Sequence, residues 1–443
     1  MIHPFSLERC LRAVTALFLF LLPWQTIWIM KEQLVNGDKW QWGTLGLYGT
    51  EVVLWIAVGC FMAWYWQQRK KAEGPVQITC DRLFLASLLI FILYWFIASW
   101  WAADRSVAFQ YAFRVLEASL IFLLLFLGPI HKKELILSFL LGALLQSVLA
   151  IMQFVFQTSW EHVWFGLSAH PAWEVGTSVV SSDGIGRWMR AYGAFPHPNI
   201  LGGYIATAIL FFSLFIYKEP LRPRSIIVLL LLFTGLIFSL SRSAFLMSAL
   251  TVVCVCLVAL WQQQYRFAFQ YGVTVAILCF ICGSLVYPLL QTRMMPTSAT
   301  EIRSATERLA GYHEWYAVVS RHPWFGVGGG NYVLALHAHS PEREGWTLQP
   351  VHAAPLLLLA EGGIVSLFLL LLAAVCWIAQ YRSTVLPLIL LWIPLLPPLL
   401  LDHYLVSSYI GLILLAVYAA VGYRFFPHVL HNSSTEAGKM VLK

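Results

Sequence analysis

Residues 237–248 read IFSLSRSAFLMS, and Arg242 within them is the only charged side chain among the 37 residues between Arg224 and Gln262. Two long apolar arms meeting at one arginine describe a membrane hairpin, because a bare guanidinium is costly in hydrocarbon and needs a partner or a task. With about four residues in the turn, each arm is roughly 25 Å long at 1.5 Å per residue, short of the ~30 Å hydrocarbon core. The turn Ser241-Arg242-Ser243 is therefore expected slightly sunken in the outer leaflet. It should open into a water-filled cleft, since irregular backbone at that depth needs protein or a cavity around it. Snorkelling of Arg242 to lipid headgroups is the plain alternative.

The pattern continues in both directions along the chain. Its 443 residues are 60% hydrophobic and only 11% charged, against roughly 25% charged in soluble domains. Apolar blocks of spanning length recur near residues 12–30, 45–66, 83–101, 111–128, 135–156, 195–217, 225–240, 243–261, 268–290, 352–379, 384–401 and 404–423. The expected fold is an all-α polytopic membrane protein of about twelve transmembrane helices, a single transmembrane domain over 1–443.

Short cytoplasmic loops retain Lys and Arg. With both termini inside, sixteen of the 28 Lys and Arg fall in inner segments, densest in QQRKK (67–71) and KEPLRPR (218–224). The net charge of +7 is thus mostly a topology signal and does not argue for nucleic acid. The first apolar block follows Arg9 and Arg12 but ends in PWQTIWIMKEQ without an A-x-A-like site, so it reads as an uncleaved first span. All eight cysteines lie in spans or on the inner side, which implies no disulfide framework. Cys279-Phe-Ile-Cys282 sits mid-span and reads as packing.

Two outer segments stand out by size, 157–194 and 291–351, the latter between the ninth and tenth spans. The second contains ATERLAGYHEWYAVVSR (305–321), where Leu309, Tyr312, Trp315, Tyr316 and Val319 recur at helical spacing. This predicts an amphipathic helix near the membrane surface that carries Arg308. It gives way to HPWFGVGGGNY (322–332), whose Pro323 and four glycines forbid a regular helix. Pro394, Pro397 and Pro398 should break the eleventh helix. Trp24, Trp28, Trp64, Trp66, Trp100 and Trp101 read as interface anchors.

Beyond Arg242, two stretches carry candidate chemistry. QPVHAAPLLLLAEGGIVSL (349–367) opens the tenth span, with His352 at the outer boundary and Glu361 nine residues deeper. Glu361 serves either as a helix-packing hydrogen bond or directly. RWMRAYGAFPHPNILGGY (187–204) leads into the sixth span with Arg190, His197 and Asn199. Asn199 reads as a helix cap or a supporting residue, and Arg187 as a surface charge. Arg190, Arg242, Arg308 and His352 all fall at the outer edge of the membrane. Guanidinium forks pair phosphate oxygens and never lose their charge, and a histidine accepts a proton near neutrality. There is no D-x-D, no H-E-x-x-H and no carboxylate-rich outer loop. No metal or other cofactor is expected, and the arginines would neutralise phosphate charge.

RAYGAFPHPNILGG, the SLSRSAF turn, ERLAGYHEW followed by HPWFGVGGGNY, and PVHAAPLLLLAEGG resemble, in that order, the O-antigen ligase and polymerase superfamily of bacterial membrane glycosyltransferases. The likeness is closest to the ligases. It covers about residues 190–361, and the twelve-span layout extends it to the whole chain. It implies a GT-C type fold in the inner membrane, with the active site facing the periplasm. It also implies a metal-independent, inverting transfer of glycan from undecaprenyl pyrophosphate to an acceptor, lipid A-core for a ligase. By motif position His352 corresponds to the family's catalytic histidine, and Arg242 and Arg308 to its pyrophosphate-binding arginines, with Arg190 a further candidate. The family often has Asn after that histidine; here it is Ala353, so His352 would be held by Glu361 or by backbone.

The same chemistry fits a polymerase of O-antigen or exopolysaccharide, which uses the same donor and another glycan chain as acceptor. It also fits a protein O-oligosaccharyltransferase, although those chains usually add a soluble C-terminal region. A transporter of an anionic lipid or glycan is the non-enzymatic reading. Transporters commonly show paired internal repeats and midplane sites, and neither is visible here.

Overall fold

The computed structural model describes residues 6–71, 82–174, 176–182, 184–295, 299–379 and 390–430. Among the described residues nine apolar helices come first: α1 (Leu7–Leu21), α2 (Gly49–Lys71), α3 (Arg82–Ala98), α4 (Arg105–Leu127), α5 (Lys132–Phe156), α6 (Pro198–Phe215), α7 (Pro223–Ser239), α8 (Arg242–Trp261) and α9 (Tyr265–Leu285). Then follow α10 (Tyr287–Met294), which begins inside the expected ninth span, α11 (Ala299–Val319), α12 (Tyr332–His339) and the long apolar α13 (Ala354–Ala379). The described residues finish with short helices Leu396–Leu401 and Tyr404–Ser407 and the long helix Tyr409–Leu430. Seven of these helices are long and apolar enough to cross a membrane, with four shorter apolar ones beside them. The chain is an all-α multi-pass membrane protein.

Several expected boundaries move, that of the second span among them, since α2 begins only at Gly49. The first span ends at Leu21, because Pro23 cannot extend a helix. Ile27–Lys31 leaves the span to form strand β1, which pairs antiparallel with Leu45–Tyr48. The hairpin turn is also tighter than four residues. α7 ends at Ser239, Leu240 takes a left-handed conformation (φ 48°), Ser241 is the N-cap, and Arg242 is already the first residue of α8.

α6 is the hub. Every residue from Pro198 to Leu214 is buried, as a helix apolar all round must be. Its two glycines admit close neighbours. A Cβ on Gly202 would lie 2.8 Å from the Cβ atoms of Ser241 and Ala244, and one on Gly203 would collide with the Tyr404 hydroxyl. The LGG of the sixth span therefore lets the Arg242 turn and the Asp402–Tyr404 region press against one helix.

α13 breaks at Gly363 (φ 66°, ψ −176°), and the glycine-rich loop after α11 docks into the break. Val327 N donates to Ala360 O at 3.1 Å and Gly328 N to Glu361 O at 2.8 Å. Ile364 N and Val365 N donate back to Pro323 O and Trp324 O at 2.9 and 3.1 Å. A Cβ at Gly326 would sit 2.3 Å from Glu361 O, so the glycines exist here for backbone approach. α11 is tied to the same helix by Trp315 Nε1, which donates to Leu356 O at 2.7 Å.

Candidate active site

α7 ends buried, with carbonyls that a helix C-terminus leaves unpaired. Two arginines take them. Arg190 Nε donates to Ser239 O at 2.9 Å and Arg293 Nε to Leu240 O at 3.2 Å. Both side chains are nearly enclosed, 3% and 7% exposed, and cations are favoured at this end of a helix dipole. Together they fix the turn that presents Arg242 at the N-terminus of α8, the end of a helix dipole that favours an anion. Ser241 and Ser243 place their hydroxyls 3.4 Å apart at the same point.

Arg190 does more than clamp the turn. Its Nη1 donates to Ser178 Oγ at 2.8 Å and its Nη2 to Asn199 Oδ1 at 2.6 Å. Asn199 then donates through Nδ2 to Asp402 Oδ2 at 2.6 Å, while Asp402 Oδ1 accepts from the amide of His403 at 2.8 Å. His403 Nδ1 meets Ser407 Oγ at 2.7 Å. The chain of bonds ends beside His352, whose ring centroid lies 5.4 Å from that of His403. One donor atom each from His352, Asp402 and His403 falls within 4.8 Å of the others.

Arg190, expected at the pyrophosphate, has three of its nitrogens donating to protein acceptors. The expected cap at Asn199 is displaced. His197 is the N-cap of α6, and its Nδ1 accepts from Asn199 N at 3.1 Å. Asn199 instead bridges Arg190 to Asp402. Glu361 stands apart from His352. It is 4% exposed and its Oε1 accepts from Tyr332 N at 3.4 Å, holding the glycine loop in the break of α13.

His352 sits between α12 and α13 at the centre of a tight turn closed by Ala353 N to Val351 O at 2.8 Å. Its Nδ1 is buried without a hydrogen-bond partner among the described residues, as is Nε of Arg308. Burial lowers the His352 pKa from its ordinary 6.5; Asp402 opposes that shift, and the positive charge of Arg308 adds to it. The imidazole is therefore neutral at neutral pH and free to accept a proton. Asp402 is pushed up by burial, but His403, His352, His197 and the Asn199 amide together bring its pKa below the usual value, so it is ionised. Two imidazoles and a carboxylate could also ligate a transition metal.

The residues that sequence reasoning passed over are Asp402, His403 and Arg293. Asp402 had a signal of the kind that exposed Arg242: it is the only acidic residue between Glu361 and Glu436.

This hairpin, outer helix, glycine loop and histidine-opened helix coincide with a known family: residues 226–371 match the model described as O-antigen ligase. The family consists of glycosyltransferase-like O-antigen ligases and polymerases. No curated protein matches the chain. The matched O-antigen ligase segment contains Arg242, Arg293, Arg308, His352 and Glu361, whereas Arg190, Asn199, Asp402 and His403 lie outside it.

Proposed function

We propose that the protein is an O-antigen ligase of the bacterial inner membrane that works on the periplasmic side. The donor is glycan on undecaprenyl pyrophosphate and the acceptor is a hydroxyl of lipid A-core. The observation that carries the reading is the continuous bonded path from the Arg242 turn through Arg190 and Asn199 to Asp402 beside His352. It holds an anion-binding turn and a neutral base in one fixed relation.

In this mechanism His352 accepts the proton of the acceptor hydroxyl, whose oxygen attacks the anomeric carbon of the first sugar. The bond from that carbon to the pyrophosphate oxygen breaks with inversion. Arg242, Arg308 and the N-terminal amides of α8 stabilise the charge that gathers on the departing pyrophosphate. Pyrophosphate leaves readily, so no general acid is required. Asp402 stabilises the imidazolium that forms, and Arg190, Arg293 and Asn199 are positioning residues. Alignment of two lipid-borne substrates supplies much of the acceleration. A polymerase would use the same site with a second glycan chain as acceptor.

Reconstitution with undecaprenyl-pyrophosphate glycan tests the reading. Product on lipid A-core is expected; chain growth from donor alone would name a polymerase, and no transfer to either acceptor would overturn the proposal.

A further inference from the structure

A second group of charges lies inside the membrane-spanning helices and plays no part in this chemistry. Glu51 on α2 and Arg114 and Glu117 on α4 line a cavity of about 390 Å³, within the ~300–1,000 Å³ range of small-ligand sites. Both carboxylates are nearly enclosed, Glu51 at 7% and Glu117 at 3% exposure. Among the described residues neither forms an ion pair with Arg114. Glu51 Oε1, Glu117 Oε2 and Arg114 Nε are each buried without a hydrogen-bond partner. The other Glu117 oxygen accepts from Trp55 Nε1 at 2.7 Å, which fixes the carboxylate in place. The cavity mouth is apolar, with Met30, Phe109 and Phe113 on its rim and largely exposed. The cavity thus lies between α2, α4 and the hairpin of Ile27–Lys31 with Leu45–Tyr48, and its exposed apolar rim suits a lipid tail.

Three buried ionisable groups gathered at one cavity, each with an atom that lacks a hydrogen-bond partner, call for a ligand. It must bring a cation with several N–H donors for two carboxylates, an anion for one guanidinium, and an apolar tail for the phenylalanine rim. With two carboxyl groups to one guanidinium, the end that brings N–H donors decides the fit. We propose that this cleft binds a phospholipid whose phosphodiester carries a primary ammonium, the chemistry of an ethanolamine phospholipid. The ammonium sits between Glu51 and Glu117 and the phosphate meets Arg114. A choline headgroup has no N–H to give the carboxyl groups, and a glycerol headgroup brings them no cation. Gln110 and Arg114 also line a one-water cavity of about 20 Å³ that reaches Glu361 and Ser407, so the lipid site adjoins the scaffold of the transfer site without sharing its reacting groups.

The test is lipid binding by full-length protein, independent of transferase activity. Delipidated protein in detergent is titrated with ethanolamine, choline and glycerol phospholipids of matched chains, and bound lipid is counted by native mass spectrometry. Ethanolamine lipid is expected to bind at least tenfold more tightly than the other two. Glu51→Gln with Glu117→Gln should remove that preference, and Arg114→Gln should weaken binding. A wild-type protein without the preference, or a folded double variant that keeps it, overturns the proposal. If the double variant does not fold, Trp55→Phe, which only frees the Glu117 carboxylate, must reduce the preference, and an unchanged preference overturns it equally.

Discussion

The two buried polar clusters of this protein differ in one respect, and the difference separates scaffold from site. Around α6, Arg190, Asn199 and Asp402 satisfy one another through bonds of 2.6 to 2.9 Å with named partners at each step. Between α2 and α4, Glu51, Arg114 and Glu117 share a cavity yet leave an atom each without a partner. A completed network fixes geometry; removing one member leaves the rest buried and uncompensated. An incomplete cluster waits for a group from outside. Within the first region the same rule fits the base proposed for the transfer, because among the described residues His352 Nδ1 is buried and unpaired, whereas Nδ1 of His197 and of His403 each has a partner.

Substitutions can break this contrast. The largest effect is expected from His352→Ala, with a fall in transfer of about 10²–10⁴-fold, the range of a lost general base, at an unchanged level of protein in the membrane. Arg242→Lys should follow at roughly 10²–10³-fold, as for a lost group that stabilises developing charge, since a point charge does not reproduce a fork. Steady-state transfer rates check both. Arg190→Met should lower thermal stability by about 1.5–3 kcal/mol for each charged hydrogen bond lost, whereas Glu117→Gln in delipidated protein should leave it unchanged or raised. Thermal midpoints in detergent compare the two, and equal losses would erase the distinction between them. The smallest effect is expected from excess EDTA, which should leave the rate unchanged if the His352, Asp402 and His403 set works by hydrogen bonding.

Much of this was legible in the sequence, and the rest failed for physical reasons. Apolar blocks and loop charges gave the helices because spanning hydrocarbon constrains composition at every residue. Arg242 was legible because a lone charge in 37 residues has no local explanation. The helix of Arg308 followed from its aromatic spacing, and α11 indeed runs through residues 305–319. The fate of Arg190 was not legible, because its acceptors Ser239 O and Asn199 Oδ1 belong to other helices. Asp402 carries the same signal as Arg242, a lone charge in a long apolar stretch, but its partners Asn199 and His352 lie far off in sequence. Glu361 was placed near His352 because both open one helix. The break at Gly363 turns its carboxylate to the glycine loop, a consequence of backbone that sequence spacing does not reveal.

The central claim is that His352, held beside Asp402 and under the charge of Arg308, is the base of the transfer. The pH dependence of kcat/KM tests it most directly. Burial and Arg308 lower the His352 pKa below 6.5 and Asp402 raises it, so wild-type activity should hold at neutral pH and fall only on the acid side. Asp402→Asn should carry that acid limb to lower pH, and Arg308→Gln to higher pH. Acid limbs that superimpose on the wild type in both variants would contradict the account.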